Sequence, residues 1–167
     1  MGTVIKTKRE VIKIAGRLNE LITVTDESGK ILKRMVKPMM VKFYPRDIMQ
    51  IIVGSSILAI PVAFTEETWK LGESLPFSNI MGLMLLSIVF IGAFVYYNYY
   101  RDKMKEHRTE FLKRVVTTYV TAFIVVSILL TLIERAPWGT EFMIAFSRAI
   151  IVTFPASMSA AVADMIK

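Results

Sequence analysis

The sequence predicts an all-α membrane protein: a four-transmembrane-helix bundle with a small N-terminal cytoplasmic α+β element made of a helix and a β-hairpin. Three observations predict it. Of 167 residues, 54% belong to the hydrophobic set and 21% are charged, and the mean hydropathy of +0.50 is more apolar than an average soluble domain. The apolar residues fall into four blocks of roughly the 18 to 20 residues that a bilayer core of about 30 Å requires. None of the blocks alternates as a barrel strand would, so helices are the way to satisfy every backbone group in lipid.

The first 45 residues are too few for a sizeable core of their own. Within 9–22, Val11, Ile14, Ala15, Leu18, Leu21 and Ile22 recur every three or four positions, which predicts a basic amphipathic helix. Strand-prone runs at 21–25 and 30–36 flank the acidic, Gly29-containing stretch 26–29, which predicts a hairpin. This segment reads either as a cap on the helix ends or as a regulatory or partner-binding module. Residues 46–167 form the transmembrane domain, with spans at 48–64, 77–97, 115–133 and 142–166. The fourth is less clean than the others because it holds Arg148, Pro155 and Asp164.

Orientation follows from the Lys and Arg count outside the spans. Eleven precede the first span and six lie between the second and third, Arg114 among them, whereas the other two loops hold Lys70 and Arg135 alone. Both termini are therefore expected in the cytoplasm of a multi-pass cell-membrane protein, with Trp69 and Trp138 at the outer interface. The +7 net charge is then explained by anionic lipid head groups on the cytoplasmic side, each basic residue gaining about 1 kcal/mol near such a surface. Nucleic-acid binding would need that charge on a folded soluble face.

Several chemistries are excluded. With no cysteine there are no disulfides, thiolate nucleophiles or cysteine-built metal sites. The single histidine, His107, lies in a charged loop, so no catalytic triad or histidine metal centre is expected. Eight scattered glycines form no phosphate-cradling loop. The chain is read as a non-enzyme with no cofactor.

A resemblance rests on particular stretches: Phe43-Tyr-Pro-Arg-Asp47, Gly54, Pro61-Val-Ala-Phe-Thr-Glu-Glu-Thr-Trp69, Arg108-Thr-Glu-Phe-Leu-Lys-Arg114, Ala136-Pro-Trp138, and Phe154-Pro-Ala-Ser157 with Asp164. From about Val36 onward the chain resembles a family of small prokaryotic integral membrane proteins grouped under a domain of unknown function. The resemblance implies a prokaryotic membrane and no activity, and it carries over no site residues.

Ionisable residues inside a span are costly and are functional candidates by default. On a helix turning about 100° per residue, Thr153, Ser157, Ala160 and Asp164 share one face. That stripe is either tight packing, with Asp164 paired to Lys167 at the interface, or part of a cation or proton path. Arg148 lies roughly 24 Å from Asp164 along the helix axis. It is expected either to snorkel or to pair with Glu66 or Glu67, Glu66 being preferred. Pro61 and Pro155 are expected to kink their helices, and kinked helices can expose carbonyls to an ion.

Two functional classes result. The first is a small channel or transporter, for a cation, acting as a homo-oligomer with Glu66 and Glu67 at one end of the path and Asp164 at the other. The second is a non-transporting scaffold or lipid-interacting protein with a regulatory cytoplasmic module. A path requires those acids to line water, whereas a scaffold requires them to be capped by Lys or Arg.

Overall fold

The computed structural model describes residues 6–14, 17–26, 29–38, 45–100 and 108–166. The chain divides into two units, Met1–Lys42 and Phe43–Lys167.

The first unit is a three-stranded antiparallel sheet of β1 (Lys6–Ile14), β2 (Arg17–Thr25) and β3 (Ile31–Pro38), in that spatial order. Pairing runs from Lys6↔Thr25 to Ile14↔Arg17 and from Asn19↔Pro38 to Thr25↔Ile31, with an irregularity at Val24/Thr25. The hairpin expected from 21–25 and 30–36 is β2 with β3. Gly29 closes it at φ +80°, a backbone conformation glycine adopts without steric cost, and its N–H donates to the Asp26 carbonyl at 3.0 Å. The amphipathic helix expected over 9–22 is not formed, because β1 and much of β2 occupy that stretch. Val11, Ile12, Ile14, Ile22, Thr23, Val24 and Thr25 are β-branched and favour the pleated surface over a helix. Gly16, inside the expected helix, weakens it further. On β1, the hydrogen bond from Lys8 Nζ to Glu10 Oε1 at 2.6 Å and the Lys8 charge hold the Glu10 carboxyl below its ordinary value.

The second unit contains α1 (Pro45–Ala63), α2 (Glu66–Ser74), α3 (Phe77–Val95), a π-helical turn at Tyr96–Tyr100, α4 (Arg108–Leu132) and α5 (Phe142–Met165). Four segments, Pro45–Ala63, Phe77–Tyr100, Arg108–Leu132 and Phe142–Met165, are long and apolar enough to cross a membrane. Side-chain contacts bring the starts of α1 and α4 together with the end of α5 at one end of the bundle, the Asp47 end. The opposite, Trp138 end carries α2 and the loop after α4.

Two boundaries differ from expectation and both affect the site. α4 begins at Arg108 rather than near residue 115, so Arg114 lies in its second turn instead of in a loop. α2 occupies what was expected to be an outer loop. Glu66 and Glu67 lie in its first turn, where a helix favours negative charge. Pro76 stops it by forcing Leu75 into an extended conformation, ψ 135°.

Helix α5 packs against α1, α2, α3 and α4. Half of its most apolar window is buried, against 22–33% for the other three spans, which makes it the central helix. Its buried face is rich in Ala, Ser and Thr, and small residues allow neighbouring backbones to approach closely. Gly54 of α1 shows how close. A Cβ at that position would overlap Ala163 Cβ and lie 3.1 Å from both Ala160 Cα and the Ser159 carbonyl oxygen. α4 ends with Glu134 at φ 59°, where Arg135 N–H donates to the Leu130 carbonyl at 2.8 Å and Glu134 N–H to that of Thr131 at 3.0 Å. This is the helix-terminating loop that glycine usually serves.

Candidate functional site

The most buried charge cluster among the described residues lies at the Asp47 end. Arg114 is 0% exposed. Its Nη1 donates to Asp164 Oδ2 at 2.7 Å and its Nη2 reaches Asp47 Oδ2 at 3.4 Å. Helix α1 supplies Asp47 from its first turn, α5 supplies Asp164 from its last, and α4 places the guanidinium between them. Asp47 is favourably placed at a helix start, whereas Asp164 at a helix end opposes the dipole and depends more on the arginine. The π-helical turn brings the Tyr99 ring to 4.2 Å from the guanidinium carbon, and Tyr99 OH donates to the Asp164 carbonyl at 3.1 Å. Tyr100, fully buried, packs edge-on against Phe111 at 5.6 Å. A planar guanidinium suits this arrangement because it bonds carboxylates along its edge while its face stacks on a ring.

Beyond the cluster the interior changes character. Thr118, one turn along α4 from Arg114, and Thr153 on α5 have buried hydroxyls with no hydrogen-bond partner among the described residues. Towards the Trp138 end, Ala59, Ala63, Val126, Leu130, Ala136, Ala145, Ala149, Val152 and Ala156 form one buried apolar cluster.

A second arginine is held at the Trp138 end. Arg148 pairs through Nη2 with Glu73, donates from Nη1 to the Arg135 carbonyl at 2.8 Å and from Nε to the Trp69 carbonyl at 3.3 Å. Gly72 makes this possible, since a Cβ there would overlap Arg148 Cγ. Trp69 is anchored by Nε1 donating to the Ala63 carbonyl at 2.8 Å, and Arg135 stacks on its ring at 3.9 Å.

With this geometry in place, the comparison with known families is direct: residues 17–166 match the family described as "Putative integral membrane protein (DUF2391)". The chain belongs to that family. It is a multi-pass integral membrane protein, with four helices among the described residues long and apolar enough to span a membrane. No curated protein and no solved structure matches it. The family description states a location and no chemistry, so the reading of this DUF2391 protein rests on its own residues.

The residues singled out from sequence fall into two groups. Thr153, Ser157 and Asp164 do share the buried face of α5, with Ser157 Oγ donating to the Phe154 carbonyl at 3.0 Å. Asp164 is paired with Arg114; Lys167 lies outside the described residues, as does His107. The expected Glu66–Arg148 bridge is corrected to Glu73–Arg148. Glu66 instead lies 3.4 Å from Lys70, one turn along α2, and Glu67 is exposed. The reason is α2 itself: once 66–74 is helical, Gly72 and Glu73 lie over Arg148, while Glu66 and Glu67 are about two turns away. Pro61 and Pro155 interrupt neither helix; α5 runs through Pro155, and α1 ends two residues after Pro61. Among the described residues no three His, Cys, Asp or Glu side chains come together as a metal site.

Sequence reasoning missed Asp47 and Arg114. Both fall just outside the expected spans, yet each heads an apolar or small-residue stripe at helical spacing. These are Asp47, Ile51, Ser55, Ala59 and Ala63 on α1, and Arg114, Thr118, Ala122, Val126 and Leu130 on α4, all buried. Extending those stripes backwards by one turn would have found both residues.

Proposed function

We propose that the protein is a non-transporting, lipid-interacting membrane scaffold of the cell membrane, with both termini cytoplasmic and the N-terminal sheet serving as a regulatory module. One observation carries the reading: Asp164, the ionisable group best placed for an ion path, is held at 2.7 Å by a fully buried arginine. The apolar cluster around Val126, Leu130 and Val152 adds support, because it fills the interior where a path through one bundle would have to continue. Two cavities among the described residues open on the flanks of the helices, lined chiefly by apolar side chains, and the linings of these two do not include Asp47, Arg114 or Asp164. On this reading the chain is not an enzyme and takes no cofactor.

The second reading is a cation channel or transporter acting as a homo-oligomer, with Thr153, Ser157 and Asp164 on the path. The buried hydroxyls of Thr118 and Thr153 favour it, since an unpartnered hydroxyl in a span can take up water or a desolvated ion. A flux assay on purified protein in liposomes, scanning K⁺, Na⁺, Ca²⁺ and H⁺, separates the two. The scaffold reading expects leakage equal to protein-free liposomes. A saturable flux abolished by Asp164→Asn would replace it with the transporter.

A further inference from the structure

We propose that the groove between α1 and α5 at the Asp47 end is a binding site for one anionic glycerophospholipid, its phosphate at Arg46 and one acyl chain along the groove. The proposal rests on the lipid-interacting reading above and names the lipid. The groove, about 580 Å³, is lined by Arg46, Met49, Gln50, Val53 and Ile57 of α1, by Ala163 of α5 and by Ile166 just after it. The α1 residues recur at intervals of three and four, one continuous face. Sequence chemistry makes the groove: Gly54 and Ala163 bring the two helices into contact as its floor, and Met49, Val53 and Ile57, each 60% exposed, stand up as one wall. Gln50 ties the wall to the end of α5 by donating to the Ile166 carbonyl at 2.7 Å.

Length and charge select the occupant. From Arg46 to Ile57 the groove extends eleven residues, roughly 16 Å at 1.5 Å per residue. That is about half of a 30 Å hydrocarbon core, the depth reached by the acyl chain of a lipid in one leaflet. A transmembrane helix from a second copy would run the full core thickness and leave the groove after half its length. The polar end also has the right sign. Arg46 is exposed beside the start of α1, where the first-turn N–H groups and the helix dipole add to its attraction for a phosphate. The Lys and Arg count places this same end on the cytoplasmic side, where anionic lipids are enriched. The wall below carries no charge, as an acyl chain requires.

The test uses full-length protein in mild detergent, titrated with dioleoyl-phosphatidylglycerol or dioleoyl-phosphatidylcholine and followed by native mass spectrometry and thermal unfolding. The expected result is one retained phosphatidylglycerol per chain in preference to phosphatidylcholine, with a higher unfolding temperature. Arg46→Ala should cut that preference about fivefold, the worth of one basic residue near an anionic surface. Val53→Trp, at an exposed wall position, should fill the groove and abolish retention of both lipids while the unliganded unfolding temperature stays the same. Equal retention of the two lipids by the native chain, or undiminished retention by Val53→Trp, would overturn the proposal. A native dimer lost in Val53→Trp would assign the groove to a second copy instead. Ion flux plays no part in these readouts, so a positive liposome flux would remove the scaffold reading and leave the lipid site standing.

Discussion

At the Asp47 end Arg114 is wholly buried and meets carboxylates from two other helices, both 2% exposed. At the Trp138 end Arg148 meets one carboxylate, that of Glu73, 55% exposed, and two backbone carbonyls. The first arrangement ties α1, α4 and α5 together through groups that are almost wholly withdrawn from solvent. The second fastens a nine-residue helix and a loop over the bundle with groups that solvent can replace. One residue type thus serves as an internal lock in one place and as an adjustable clasp in the other. Burial of the acidic partner decides which.

The largest effect is expected from Arg114→Ala. It removes the buried guanidinium that the two carboxylates share, and breaking a buried pair in this way costs about 3–5 kcal/mol. Unfolding of the full chain in detergent with added denaturant should therefore shift strongly or show no folded state. Asp164→Asn should cost more than Asp47→Asn, because the Asp164 contact is the shorter and its helix end opposes the charge. Equal costs would show that the arginine is shared evenly.

Next in size is Gly54→Ala, which probes the packing that accompanies the lock. The added methyl meets Ala163 and backbone atoms of α5 that cannot move aside separately, so α1 must shift, at about 1–3 kcal/mol. An unchanged unfolding midpoint would mean that α1 and α5 pack more loosely than the approach of Gly54 to Ala163 requires.

The smallest effects belong to the clasp. Glu73→Ala should cost no more than about 1 kcal/mol, as exposed ion pairs do. Combined with Arg148→Ala it should cost less than the sum of the two, whereas Glu66→Ala with Arg148→Ala should be additive. Coupling at Glu66 instead of Glu73 would restore the pairing expected from sequence and remove α2 from its place over Arg148.

These contrasts also explain what the sequence made legible. The four spans were readable because hydrocarbon thickness sets helix length directly, and the α5 stripe because small and polar residues recur at helical spacing. Arg114 was not, because it sits at the edge of an apolar run and a charge at an edge reads as loop. Only the start of α4 at Arg108 turns it inward. Glu73 was overlooked because Trp69 and Leu71 are the only large apolar residues in 66–74, too few in nine residues to mark a helix. In the N-terminal segment, apolar residues at intervals of three and four suggested a helix while β-branching pointed the other way. The sheet shows that backbone preference prevailed in a stretch too short for periodicity to decide.

The central claim is that the polar residues inside the bundle are structural and border no water-filled path. The absence of native cysteine allows a direct measurement: the rate at which Thr153→Cys and Ser157→Cys, in membranes, react with a small charged thiol reagent applied from each side. Gly139→Cys, exposed and with open space around it, serves as the reactive control. The account predicts rapid modification at 139 from one side and none at 153 or 157 from either. Modification of 153 or 157 at a rate approaching that of 139 would contradict it and place water on the buried face of α5.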